Sequence, residues 1–212
     1  FVFYPDIPTE VRNDYRITDD AIGVGTPGER FNNNIRAIRL LKRLEAESRF
    51  ATPEEQIILS KYVGWGGLKN AFEDFHDDWK KEFSELKELL TPEEYKLAKA
   101  SVLNAHYTSP LVIEKMYEAL RNNGFTGGKI LEPAMGIGNY FGKMPEDIRS
   151  SSNLYGVELD DISGRISKQL YPNANIRITG FEKTLFKDNS FDLAIGNVPF
   201  GAYSLNEPKY NK

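Results

Sequence analysis

The chain contains no cysteine. It therefore has no disulfide, no thiolate metal site and no cysteine nucleophile. Histidine is nearly absent too, with His76 and His106 the two examples. A zinc site would have to be completed by carboxylates, so no metal is expected. No apolar run approaches the roughly 20 residues of a membrane span, and no membrane partner is expected. The opening Phe1-Val2-Phe3-Tyr4-Pro5-Asp6 lacks the basic start and long apolar core of a secretory signal. It begins with Phe rather than Met, which reads as a stretch of a longer or processed protein, cytoplasmic by default. A basic excess is missing as well: 27 Lys and Arg face 31 Asp and Glu, a net charge of −4. That excludes a small, strongly basic nucleic-acid clamp. It leaves room for DNA contact through a local patch or an additional domain.

What is present belongs to a folded protein. Of the 212 residues 40% are hydrophobic, and 13 Phe, 11 Tyr and 2 Trp rule out disorder across the whole chain. The length suits one large domain, or one domain with an appendage. The pattern changes near residue 105. Residues 1–105 read as a helical region, and residues 106–212 alternate short apolar runs with helical stretches, the rhythm of an α/β domain.

In the first part, residues 1–30 read as irregular. Phe31 to Ser48 reads as an amphipathic helix with Ile35, Ile38, Leu41 and Leu44 inward and Arg36, Arg39, Lys42 and Arg43 beside or opposite them. Thr52-Pro53-Glu54-Glu55 and Thr91-Pro92-Glu93-Glu94 are capping signals, with Thr at the N-cap, Pro at N1 and Glu at N3. They predict helices to about Tyr62 and about Leu103. Val63-Gly64-Trp65-Gly66-Gly67-Leu68 breaks the periodicity and suggests a tight turn that seats the indole in a pocket.

In the second part Ser109-Pro110 opens a helix whose expected buried face is Leu111, Ile113, Met116, Tyr117 and Leu120, with Gly124 as its C-terminal cap. Strands are predicted at Lys129–Leu131, Leu154–Leu159, Ile176–Thr179 and Phe191–Ile195. Helices fall between the first three, and a short loop or helix around Phe181–Phe186 precedes the fourth.

Three strand ends carry candidate chemistry. The first is Glu132-Pro133-Ala134-Met135-Gly136-Ile137-Gly138, where a strand hands over to a helix, the place where open α/β sheets bind ligands. Gly136 and Gly138 allow a close backbone approach. An acid at Glu132 would repel a pyrophosphate and suit a cationic ligand such as a sulfonium carrying an ammonium group. The second is Glu158, about 20 residues past the glycine loop, where a carboxylate can accept both hydroxyls of a ribose. The third is Gly196-Asn197-Val198-Pro199-Phe200. There an Asn carbonyl and the next backbone carbonyl can accept two hydrogens of an amino group, and an aromatic can stack on a planar ring.

In this order the three stretches resemble motifs I, II and IV of Rossmann-like S-adenosylmethionine-dependent methyltransferases. Asn197-Val198-Pro199-Phe200 resembles the Asn-Pro-Pro-Tyr/Phe motif of amino methyltransferases, with Val198 in place of the first proline. His106-Tyr107-Thr108-Ser109-Pro110 resembles motif X of the γ-type N6-adenine DNA methyltransferases. Tyr62-Val63-Gly64-Trp65-Gly66-Gly67-Leu68, followed by this motif order, resembles the N-terminal methylase-like region of very large helicase–methyltransferase fusions carried by phages and conjugative elements.

The resemblance implies a Rossmann-like α/β core with parallel strand order 3-2-1-4, truncated after motif IV, and S-adenosylmethionine as cofactor. Tyr107, Thr108, Glu132, Pro133, Gly136 and Gly138 would surround its methionine part, Glu158 its ribose and Phe181 its adenine. Asn197 and the Val198 carbonyl would bind the target amine, with Pro199 fixing the loop and Phe200 stacking on the base. DNA would be the partner, reached through additional domains. Methylation of a glutamine amide or an RNA guanine amine, and a non-catalytic docking module of a helicase, are the alternatives. Strand four would lie at a sheet edge, either self-associating or covered by the N-terminal helices, and this chain alone would be a weak or inactive enzyme.

Overall fold

The computed structural model describes residues 4, 6–19, 23–102 and 108–198. Helix α1 spans Pro27–Ala46, α2 Pro53–Leu59, α3 Lys80–Leu89 and α4 Pro92–Ser101. Three of these open in the same way. Thr26, Thr52 and Thr91 each accept the backbone N–H of the Glu three residues on, and that Glu returns a bond to the Thr backbone. The Thr26-Pro27 box starts α1 four residues before the predicted Phe31, with Gly28 in its first turn. Helix α3 is absent from the elements predicted above, although Trp79, Phe83, Leu86 and Leu90 repeat at helical spacing. It lacks a side-chain cap, and its one fully buried residue is Leu86.

The interior of this part is aromatic. Trp65 is 0% exposed. It packs edge-on to Tyr62 and Phe72, with Phe31 tilted against it. Asn34 fastens the turn, accepting from the Val63 N–H at 2.9 Å and donating to the Gly64 carbonyl at 2.6 Å. Gly64 and Gly67 take the left-handed φ values of 63° and 71° that the turn needs. Trp65 is thus a structural anchor, seated as the glycines around it suggest.

Helix α5 (Pro110–Asn122) leads into strand β1 (Gly128–Glu132), followed by α6 (Asn139–Lys143), α7 (Glu146–Ser150), β2 (Ser152–Glu158), α8 (Asp161–Leu170), β3 (Asn175–Ile178) and β4 (Leu193–Ala194). All pairings are parallel and the order is β3-β2-β1-β4, as expected for a Rossmann-like α/β core. Strand β4 is shorter than the predicted Phe191–Ile195, although Asp192 and Ile195 still donate to the Lys129 and Leu131 carbonyls of β1. Leu111 is a correction: it is 61% exposed. Ile113 and Tyr117 of the expected face do turn inward, and Tyr117 donates its hydroxyl to the Tyr140 carbonyl of α6 at 3.0 Å.

The helical part packs on the outer side of α8 through α1, α2 and α4. Gln56 of α2 donates to the Asn13 carbonyl at 2.6 Å and the Gln169 carbonyl at 3.0 Å, while Gln169 accepts from the Ala51 N–H. Residues 12–17 run as an extended strap across α6 and α8. Tyr15 donates its backbone N–H to the Leu170 carbonyl, and Ile17 donates to that of Gly142. Asp14 pairs with Arg149 at 2.6 Å. Of the two fates expected for β4, cover by the N-terminal helices is not the one seen among the described residues, because those helices lie on α8.

Candidate active site

The carboxyl ends of β1, β2 and β4 meet, and they carry the residues singled out above. Strand β1 delivers Glu132, which is 2% exposed, to the head of the loop 133–138. The loop is stitched to β2 by the Met135 N–H on the Val157 carbonyl at 3.0 Å, and closed by the Gly138 N–H on the Met135 carbonyl at 2.8 Å. Gly138 caps α6 with φ 87°. A Cβ there would fall 2.5 Å from the Tyr171 ring. Glycine at 138 thus answers both to a left-handed turn and to close packing.

Glu158, at the end of β2, accepts the Gly136 N–H at 2.6 Å with one oxygen and the Asp160 N–H at 2.7 Å with the other. The end of β2 therefore holds the glycine loop after β1 directly. Spacing along the chain carries no sign of this contact. Asp160 in turn caps α8, accepting the Ser163 N–H at 2.7 Å. An Asp directly before a helical run is the signal for that role.

The electrostatics are unusual for two acids so close together. One carboxylate oxygen of Glu132 is buried with no hydrogen-bond partner among the described residues. Burial pushes its carboxyl well above the ordinary range, and the negative charge of Glu158 pushes it further. Burial also raises Glu158, against the opposing effect of the Asp160 and Gly136 amides. The site thus sets two carboxyls that resist ionisation beside glycine backbone of left-handed conformation.

Beyond β4 the chain passes close to Glu132. A Cβ on Gly196 would lie 3.5 Å from Pro133 and 3.6 Å from the Glu132 side chain. Asn197 follows half-buried, and Val198 is exposed. Thr108 stands against α6, where the Tyr140 hydroxyl donates to its Oγ1 at 3.4 Å. Phe181 opens a single turn at Phe181–Lys183 and is 47% exposed. Its ring lies 6.4 Å from Phe186, which packs edge-on against Phe191 at 4.9 Å. The contribution of Phe186 is invisible in the sequence, since an isolated Phe in a polar loop has no periodic neighbours. Tyr107, Pro199 and Phe200 lie outside the described residues.

Among the described residues no group of three or more His, Asp or Glu side chains could hold a metal ion. No described helix is long and apolar enough to cross a membrane. Three of the four basic residues on α1 that could have met phosphate are paired internally: Arg39 with Glu85, Lys42 with Glu94 and Arg43 with Glu55.

No protein-family model matches the chain. It is 26% identical over 170 residues to Defense against restriction protein B of Escherichia phage P1, covering 79% of this chain and 6% of that protein. It is 31% identical over 103 residues to Modification methylase CviBIII of Paramecium bursaria Chlorella virus NC1A, covering 48% of this chain and 27% of that one. The chain thus spans a small part of either relative. A solved structure from Listeria monocytogenes, described as a class I S-adenosylmethionine-dependent methyltransferase, matches over 83% of this chain and 61% of its own. Its TM-score of 0.37 and 13% identity make that likeness too slight to bear weight.

Proposed function

We propose that this chain is the cofactor-binding part of an S-adenosylmethionine-dependent methyltransferase acting on the N6 amine of adenine in DNA, within a larger protein that also carries a helicase. On this reading residues 1–105 form a helical region and residues 106–212 the first part of the methyltransferase domain. One observation carries the reading. Glu132 with the glycine loop, Glu158, and Gly196-Asn197 converge at the carboxyl ends of three parallel strands in a sheet ordered 3-2-1-4. The similarity to a protein named a modification methylase supports methyl transfer.

The residues fit the cofactor. The buried, unpartnered oxygen of Glu132 suits an ammonium group, and a cation there would relieve the tension with Glu158. Each Glu158 oxygen accepts one backbone N–H and keeps a further lone pair for a ribose hydroxyl. Phe181 offers an exposed ring for the adenine, and Thr108 and Tyr107 would border the methionine part with Pro133, Gly136 and Gly138. S-adenosylmethionine supplies an electrophilic methyl on a sulfonium. Asn197 Oδ1 and the Val198 carbonyl would accept the two amine hydrogens, turning the nitrogen lone pair toward that methyl. Pro199 would hold the loop, and Phe200 would stack on the base. A target in duplex DNA would have to be flipped out of the stack. Positioning and electrostatics supply the rate enhancement.

The test is transfer of a radiolabelled methyl group by the complete protein to DNA, RNA and protein substrates, with Asn197→Ala as control. Label in N6-methyladenine, lost in the variant while cofactor affinity is kept, is the expected result. Label in a glutamine or guanine amine would replace the substrate assignment. Cofactor binding without transfer to any substrate would favour a docking module.

A further inference from the structure

One guanidinium joins the helical part to α8. Arg165 of α8 donates Nε and Nη2 to the two oxygens of Glu45 on α1, at 2.7 and 2.6 Å. Its Nη1 donates to Glu94 of α4 at 2.7 Å and to Asp161 in the first turn of α8 at 2.6 Å. Glu94 is itself fixed by Lys42 at 2.8 Å and by the Thr91 N–H of its capping box at 2.9 Å. Three helices therefore share one fork of five donors whose planar geometry a lysine does not reproduce.

The same network reaches the candidate site. Asp161 follows Asp160, which caps α8 and gives its N–H to Glu158, and Glu158 in turn holds the Gly136 N–H. The path runs from α1 and α4 through the first turn of α8 to both loops at the strand ends. Each contact is a charge-assisted hydrogen bond or a backbone bond; Arg165, Glu45 and Glu94 are at least partly buried, while the Asp161 side chain is 41% exposed.

We propose that Arg165 is a positioning residue: by clamping the first turn of α8 to α1 and α4, it holds Glu158 and the glycine loop in the geometry that receives the ribose. The helical part then acts on cofactor affinity without touching the cofactor. This rests on the functional reading above and adds a residue and a device to it.

The test compares the complete wild-type protein with its Arg165→Lys and Glu45→Gln variants. Binding of S-adenosylhomocysteine is measured by calorimetry, and amide hydrogen exchange by mass spectrometry with fragmentation on the free proteins. Affinity should fall by roughly three- to thirty-fold in each variant, the range of network mutations that contact neither ligand. Exchange should quicken at Gly136, Asp160 and Ser163, while the β1–β2 ladder keeps its protection. Wild-type affinity with unchanged exchange at those three amides would overturn the proposal. So would exchange that quickens evenly over the molecule, which would mark a purely structural clamp. Failure of the complete wild-type protein to bind S-adenosylhomocysteine would instead overturn the functional reading, and the positioning role with it.

Discussion

Replacing Glu132 by methionine should make the free protein more stable and the cofactor complex weaker. Glu132 places a carboxylate in a nearly closed site with one oxygen unpartnered, and groups of that kind cost about 1–3 kcal/mol when left unsatisfied. Methionine has a similar volume and no strongly polar atom to desolvate. Removing the cost should raise the melting temperature by roughly 2–12 °C for a chain of this size. The gain depends on pH. The folded carboxyl titrates above its unfolded value, so the fold binds the proton more tightly, and stability falls as pH rises from the ordinary carboxylate range through the raised value. Glu158 on β2 raises it from one side, and Tyr117 of α5 and Tyr171 after α8 feel the Glu132 charge from others. Glu132→Met should remove this part of the slope, and Glu132→Gln should do the same while keeping the shape. Binding of S-adenosylmethionine should move the other way. Losing a charge-assisted acceptor costs about 1.5–3 kcal/mol, roughly ten- to a hundred-fold in affinity. Calorimetry in buffers of different ionisation enthalpy should also show that the proton balance of binding differs between the wild type and both variants. A variant that melts lower than wild type and binds the cofactor equally well would refute the reasoning, since Glu132 would then be a packing residue.

Gly138→Ala should cost roughly 2–5 kcal/mol in denaturant unfolding, from left-handed strain plus overlap with Tyr171. Gly124→Ala, with a similar φ of 83° and no atom near its Cβ position, should lose only the strain, about 1–2 kcal/mol. An equal loss at both sites would show that Tyr171 yields. Trp65→Ala should cost about 3–5 kcal/mol of stability, whereas Trp65→Phe should leave cofactor affinity unchanged in titration calorimetry. Hydrogen bonding to Arg49 holds Glu55 down at about 2. Its contribution should therefore be present above the ordinary carboxylate range and disappear as pH falls toward that value. Acid unfolding of Glu55→Gln should begin from a lower, flatter plateau; an unchanged acid limb would mean the pair is solvent-screened.

How far the sequence can be read depends on the range of the interaction. Two of the three capping boxes are legible because Thr-Pro-Glu-Glu states its own hydrogen bonds. The third, Thr26-Pro27-Gly28-Glu29, is hidden by glycines on both sides of the cap. The three strand ends are legible because acids, glycines or an Asn stand where parallel strands hand over to loops, and the strand order is implied by the resemblance that these ends carry. Helix α3 lacks a capping signal, and the one mark it leaves is the helical spacing of Trp79, Phe83, Leu86 and Leu90. Leu111 is exposed as helical periodicity requires, since it stands opposite the Ile113, Tyr117 and Leu120 face; counting it inward follows from its being apolar and not from its spacing. The Glu158–Gly136 bond and the Arg165 fork join residues far apart in the chain, and no local pattern announces such pairings.

The strap at residues 12–17 also sets an order of events during synthesis. Tyr15 finds its backbone partner at Leu170, and Ile17 finds its own at Gly142. The space that Ile17 fills is one that glycine alone at position 142 leaves open. Synthesis must therefore pass Leu170 before the strap can dock along its whole length. Until then α1 and α2 expose the surface that α8 will cover. Contacts of such long sequence separation slow folding and lengthen the time in which apolar faces remain open to other chains. A nascent form of this protein stalled before Asp160 should thus carry a finished set of helices with nowhere to put one side of them, and it is there that chaperones should be found waiting.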